Sequence, residues 1–314
     1  MAVKVAEEWF AVCGGCEVTI LDIGEPLLDL LPQLEFVHIP VLADHKYLGQ
    51  IGEKTKMEIP EAAVGIISGG IRNEEHRELA QEMRNKCKTL IALGSCACYG
   101  GIPALANQFT VQEIYDKVYR GSITTESADT PIQDLPALRD KVYALDEEIK
   151  VDVYIPGCPT APELVADALT SLLSGKQFVL PERSVCDDCP TKREKKAVTA
   201  IKRPLESIID LEKEDVTTSR CFMEKGFLCL GPITKTGCYK SGGEQTPHIP
   251  RCIKGLMPCR GCFGPIRKGA NPMVDMMGAI ATIGLNPQLV LDRAATFNRY
   301  IGAQGRLRPI PKKP

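Results

Sequence analysis

Apolar and polar positions alternate between two rhythms through the first half of this chain. Lys4 to Val12 reads as a strand, and Cys16 to Leu31 has helical spacing with a break near Pro26. Leu34 to Leu42 predicts a second strand. A third is the short apolar run Ala62 to Ser68, which ends in Gly69-Gly70. Asn73 to Lys88 is a charged amphipathic pattern with Asn73 placed to cap a helix. Thr89 to Leu93 and Val151 to Ile155 predict two more strands. Pro162 to Ser174 follows as a helix that starts on a proline and stops before Gly175. Short apolar strands alternating with helices specify an α/β domain with a parallel, doubly wound sheet.

The pattern breaks twice. Gly121 to Pro136 is rich in Ser, Thr and Pro and reads as an inserted surface loop. From about Pro181 to Pro272, glycine, proline and cysteine dominate and strand patterns vanish. Such a loop-rich stretch is expected to lack a large apolar core and to be held together by bound metal, whose binding energy is folding energy. Pro272 to Gly284 is again apolar and helical in character, and is expected to pack back on the body. At 314 residues two domains are expected, 1–180 and 181–314.

Composition narrows the chemistry. A chain that is 44% hydrophobic and 25% charged is globular, and a net charge of −2 argues against nucleic acid as a partner. Met1 to Glu8 carries charges where a signal peptide has its apolar core, and no twin-arginine pair precedes an apolar run. No apolar stretch is long enough to cross a bilayer, so no membrane anchor is expected and the expected location is cytoplasmic. Structural disulfides are rare there, so fourteen cysteines point to metal or redox work.

Twelve of the fourteen fall into three sets of four: Cys13, Cys16, Cys96 and Cys158; Cys186, Cys189, Cys221 and Cys229; Cys238, Cys252, Cys259 and Cys262. Four thiolates are what one cubane iron–sulfur cluster takes. The first set lies at the ends of three predicted strands, and in an open parallel sheet ligands sit beyond that edge. Cys98 could replace Cys96, and Cys229 and Cys238 could exchange between the later sets. A thioredoxin-like pair at Cys13 and Cys16, or thiolate zinc sites in a non-redox interaction module, are the competing readings. Cys87, on the predicted helix, and Cys98 read as buried free thiols.

The motifs Cys13-Gly14-Gly15-Cys16, Gly94-Ser95-Cys96-Ala97-Cys98-Tyr99-Gly100-Gly101 and Pro156-Gly157-Cys158-Pro159 resemble those of the small subunit of nickel–iron hydrogenases. The resemblance covers nearly the whole chain. It implies a flavodoxin-like domain with a proximal [4Fe–4S] cluster on Cys13, Cys16, Cys96 and Cys158. It further implies a C-terminal domain with a distal cluster on Cys186, Cys189, Cys221 and Cys229, and a medial one on Cys238, Cys252, Cys259 and Cys262. Many respiratory members have a histidine where this chain has Cys186, and often lack a cysteine equivalent to Cys252. The interval from Cys221 to Cys229 is also longer than usual. An all-cysteine chain is expected to hold its clusters at low potential.

Within the family's cytoplasmic branch, the run from Cys13 to Ile23 looks most like the methyl-viologen-reducing hydrogenases of methanogens. That resemblance implies two partners: a hydrogenase large subunit with the nickel–iron centre, and an iron–sulfur or flavin acceptor subunit of a heterodisulfide reductase complex. Deazaflavin-reducing hydrogenases share much of the pattern. Quinone-reductase subunits of the complex I type share the first fold but have adjacent first ligand cysteines. The large subunit's Arg-x-Cys-x-x-Cys and Asp-Pro-Cys-x-x-Cys motifs are absent, so no catalytic residue is expected here. Glu17 could face the large subunit, or have a solvated or structural role. The basic run Lys192 to Lys196 and the basic tail Arg306 to Lys313 are either solvated or docking surfaces for an acidic partner. His38, His45, His76 and His248 show no ligand spacing.

Overall fold

The computed structural model describes residues 2–49, 51–196, 201–202, 215–239 and 248–311. Two compact units emerge: Met1–Lys176 with Tyr300–Pro314, and Gln177–Arg299. The residues after 299, grouped by sequence with the second half, thus return to the first unit. There Ala303 N–H donates to Tyr99 O (3.1 Å) and Ile310 N–H to Gln108 O (3.1 Å).

The first unit contains strands β1 (Val3–Trp9), β2 (Leu34–His38), β3 (Ala62–Ser68), β4 (Ile71–Asn73), β5 (Cys87–Leu93), β6 (Leu138–Tyr143) and β7 (Val153–Ile155). Five form a parallel sheet in the order β2-β1-β3-β5-β7, the doubly wound, flavodoxin-like arrangement. Register aligns Trp9 with Ser68, Ser68 with Leu93, and Leu93 with Ile155, so four strands end along one edge. Ile66, Ile67, Leu90 and Ile91 are buried on the two faces of the sheet. Each such side chain contributes about 1.5–3 kcal/mol on leaving water. The antiparallel β4–β6 pair was not expected; three residues of β4 are too few to carry a strand pattern.

Helices α1 (Gly15–Leu21), α2 (Glu25–Leu30), α3 (Glu74–Lys86), α4 (Gly94–Tyr99), α5 (Val111–Tyr115) and α6 (Pro162–Leu173) complete the unit. The predicted break near Pro26 falls just before it: Gly24 takes φ +71°, and Pro26 sits in the first turn of α2. Asn73 Oδ1 caps α3 by accepting the His76 N–H at 2.8 Å. This helix buries Leu79, Ala80 and Met83. It ends at Lys86, so Cys87 opens β5 rather than riding on the helix as expected. Arg84 makes that sharp stop by donating to Cys87 O (2.6 Å), Lys88 O (2.8 Å) and Asp152 Oδ2 (2.6 Å). The expected inserted loop carries neither helix nor strand.

The second unit is loop-rich, with short helices α7 (Arg251–Lys254), α8 (Pro272–Thr282) and α9 (Arg293–Asn298) and no strand among its described residues. It does have an apolar core, where the stretch from about Pro181 to Pro272 was expected to lack a large one. Phe222, Phe227, Ile253, Met276, Ile280 and Phe297 are buried in one cluster with Cys229 and Cys259. The contributing residues are spaced singly through turns, so no periodicity announces them. Helix α8 supplies Met276 and Ile280 to this core, within its own unit. Among the described residues no helix is long and apolar enough to cross a membrane.

Candidate metal centres

Three strand ends deliver the first cysteine set. Strand β1 leads to Cys13 and Cys16, with Gly14 in the left-handed region (φ +83°) where α1 begins. Strand β5 leads to Gly94 (φ +81°) and Cys96 on α4, and β7 leads to Gly157 and Cys158. Hydrogen bonds hold these turns together. Ser95 N–H donates to Gly157 O at 2.8 Å, and Gly157 N–H to Ser95 Oγ at 3.2 Å. Thr19 Oγ donates to Thr160 O at 3.2 Å, tying α1 to the turn after Cys158.

The four thiols act on one another. Burial pushes the Cys16 thiol up most, followed by Glu17 and then by Cys96, Cys158 and Cys13. The Cys96 thiol is pushed up to about 12 by burial and then by Cys158 and Cys13. Burial and then Cys13 raise Cys158. Cys16 and Cys96 are buried, whereas Cys13 and Cys158 are exposed. A Cβ on Gly94 would collide with Cys16 Sγ, and one on Gly101 with Cys96 Sγ. The backbone is thus kept bare where the thiols need room. Cys98 is turned away: it is fully buried and its Sγ donates to Ala92 O at 3.4 Å. Cys87 lies buried in the same apolar cluster.

The second set surrounds a cavity. Cys186, Cys189, Cys221 and Cys229 line a space of about 460 Å3 together with Arg193, and Cys238 is not among its walls. Asp187 Oδ2 accepts the Ser184 N–H at 2.7 Å and shapes the turn that carries Cys186. Cys221 N–H donates to Lys192 O at 2.8 Å and joins the two contributing segments. Cys186 is exposed as a residue, yet its thiol, set in the cavity wall, is pushed up to about 12 by burial and then by Cys189 and Cys221.

The third set lies alongside. Burial raises Cys238, the Arg251 N–H opposes this, and Cys252 adds to it. Burial also raises Cys259 well above the usual thiol range; Cys229 adds to this, as do Cys262 and Cys252. The Cys259 N–H donates to Cys229 Sγ at 3.2 Å.

All fourteen cysteines are free thiols. Buried thiols that repel one another need a cation to ionise, and a bound metal centre supplies it. A cavity of about 460 Å3 with thiols on its walls holds far more than one ion. Among the described residues, no three His, Cys, Asp or Glu side chains are placed for a single metal ion. The cavity lined by Cys186, Cys189, Cys221 and Cys229 has room for a cubane.

Sequence reasoning missed a buried acidic group behind the first set. Glu7, Glu8 and Glu17 are all buried, which overturns the solvated reading of Glu17. Glu8 Oε1 pairs with His38 Nε2 at 2.5 Å, and Tyr47 OH donates to Glu8 Oε2 at 3.0 Å. The Ser68 hydroxyl donates to Glu17. Neither Glu7 oxygen has a partner among the described residues. Burial, then Glu17 and Glu8, push the Glu7 carboxyl up to about 9. The available signal was two adjacent carboxylates inside a strand that otherwise reads as core.

Residues 13–172 match the family model described as NADH ubiquinone oxidoreductase, 20 Kd subunit. A subunit of the F420-non-reducing hydrogenase vhu from Methanocaldococcus jannaschii is 37% identical over 301 residues, covering 96% of this chain and 95% of the relative. The corresponding F420-non-reducing hydrogenase subunit from Methanothermobacter thermautotrophicus is 37% identical, covering 89% of this chain and 84% of the relative. A solved chain of an NAD+-reducing [NiFe]-hydrogenase in the H2-reduced state superposes with a TM-score of 0.52 at 30% identity, covering 58% of this chain and 96% of that one. A likeness that runs almost end to end through both relatives, over a sheet edge where four thiols meet, places this chain in the family of hydrogenase small subunits, with those of the F420-non-reducing hydrogenases.

Proposed function

We propose that this chain is the electron-transfer subunit of a nickel–iron hydrogenase, with hydrogen split at a nickel–iron centre in a separate large subunit. The observation that carries the reading is the convergence of Cys13, Cys16, Cys96 and Cys158 from three strand ends, where burial and neighbouring thiols raise Cys16, Cys96 and Cys158. These four would hold a proximal [4Fe–4S] cluster. Cys186, Cys189, Cys221 and Cys229 would hold a distal one, and Cys238, Cys252, Cys259 and Cys262 a medial one. When bound, such clusters supply one-electron carriage from the large subunit toward an acceptor.

The chain's own residues prepare these sites. Gly94 and Gly101 leave space at Cys16 and Cys96. Ser95 locks the Cys96 turn to the Cys158 turn. The membership of Cys229 in the cavity of Cys186, Cys189 and Cys221 supports its place in the second set rather than the third. In this reading Glu17, buried and bonded to Ser68, is a support beneath the first set.

The acceptor we propose is an iron–sulfur or flavin subunit of a heterodisulfide reductase complex, the whole working in the cytoplasm. The likeness to F420-non-reducing relatives favours it over a deazaflavin-reducing assembly. Native mass spectrometry of the anaerobically isolated complex tests both steps. A large subunit together with heterodisulfide reductase subunits is the expected result. A deazaflavin-binding flavoprotein would move the terminus, and absence of any large subunit would overturn the reading.

A further inference from the structure

The basic run Lys192-Arg193-Glu194-Lys195-Lys196 is anchored beside the second thiol site. Lys192 N–H donates to Ser219 O at 3.1 Å, and Lys192 O accepts the Cys221 N–H at 2.8 Å. The run is therefore fixed beside the segment that carries Cys221. Arg193 lines the same cavity as the four thiols. Its charge opposes the burial that raises the Cys186 thiol. The one acidic residue of the run does not neutralise it, because Glu194 is engaged by Arg220, which also holds Glu224. Lys192, Arg193, Lys195 and Lys196 are all exposed, and among the described residues none of them has an ion-pair partner. Cys186, which also lines the cavity, is exposed as well.

Four like charges within five residues, one of them on the wall of a redox-capable cavity, repel one another, and a face of opposite charge relieves that repulsion. We propose that Lys192, Arg193, Lys195 and Lys196 form the docking rim for an acidic face of an electron-accepting iron–sulfur or flavin protein, seated over Cys186. This rests on the electron-transfer reading above. The step is a single electron leaving the second site for the acceptor, with no bond made or broken and no proton moved. Opposite charge around an exposed exit raises the encounter rate by about 10–1000-fold, and salt screens it. An acidic protein suits the run better than a lipid surface, because the charges lie beside a thiol-lined cavity that needs a redox partner close by.

The test uses the hydrogenase of large subunit and this chain, isolated anaerobically without its acceptor subunits, and a strongly acidic [2Fe–2S] ferredoxin as probe. Association rates are measured at low and high ionic strength for the native complex and for the triple variant Lys192→Glu, Lys195→Glu, Lys196→Glu. Arg193 stays in place because it lines the cavity. Iron content is measured in parallel. The expected result is native iron in the variant, association slowed about tenfold or more at low salt, and a difference that closes as salt rises. The milder variant with glutamine at the same three positions should fall between. Equal association rates with native iron would overturn the docking rim alone. Absence of iron from the native chain would instead overturn the electron-transfer reading. Binding of anionic-lipid vesicles that is lost in the triple variant, with ferredoxin association unchanged, would overturn the proposal in favour of a membrane surface.

Discussion

The Cys259 backbone N–H donates to the Cys229 sulfur across 3.2 Å, so one residue of the third thiol set is hydrogen bonded to one residue of the second. An N–H aimed at a sulfur stabilises its thiolate and lifts the potential of whatever it binds. Cys229→Ala removes a ligand from one set and a hydrogen-bond acceptor from the other. It should lose about four irons per chain and also shift the spectrum of the third site. Cys238→Ala should lose a similar amount and leave the second site's spectrum unchanged. Iron analysis with electron paramagnetic resonance compares the two.

Gly101 sits at φ +54°, and a Cβ there would meet Cys96 Sγ and stand 2.7 Å from Cys96 Cα. Gly101→Ala should therefore disrupt the first site and deplete its iron. Gly24 provides the control. It has φ +71° and nothing within 4 Å, so Gly24→Ala should cost only the backbone strain of about 1–3 kcal/mol and keep full iron.

Much of this was legible in the sequence. Ala62 to Ser68 was bounded correctly because apolar residues with a glycine pair behind them mark a buried strand and its turn. Strand β1 ended earlier than its apolar run, at Trp9, because β3, its partner in the sheet, ends at Ser68. Cys87 was misplaced because the charged helical rhythm runs on to Lys88, while the helix is ended by Arg84 reaching Asp152, a residue sixty-eight positions away. The core around Phe222, Phe227 and Met276 was invisible because its members are gathered by turns and carry no period. The exchange between Cys229 and Cys238 needed three dimensions, since spacing alone does not say which thiols share a cavity.

Glu7 makes stability depend on pH. Its carboxyl is raised from the ordinary 4.5 to about 9, first by burial and then by Glu17 and Glu8. The folded chain keeps this proton where the unfolded chain has released it. The contribution of Glu7 is therefore whole below about pH 4.5 and declines as pH rises toward about 9. Glu7→Gln cannot ionise and should escape this loss. Relative to the native chain, the variant should gain up to about 4 kcal/mol between pH 5 and pH 8. Thermal unfolding at the two pH values checks it; parallel shifts in both proteins would contradict the assignment.

His38 holds the buried Glu8 at the end of β2, 2.5 Å from Oε1, while Tyr47 holds the second oxygen. Removing the imidazole leaves a buried carboxylate with one partner. His38→Ala should destabilise the fold by about 3–5 kcal/mol, the cost of breaking a buried pair. Denaturant unfolding measures it. Glu8→Gln, which keeps a hydrogen-bonding amide in place of the charge, should cost less.

In the proposed function, three sets of four thiols carry cubane clusters. Iron and acid-labile sulfide per chain, measured on anaerobically purified protein and paired with a redox titration followed by electron paramagnetic resonance, test it most directly. The expected result is about twelve irons with matching sulfide and low-potential [4Fe–4S] signals. Zinc in place of iron, or about four irons confined to the first site, would contradict it.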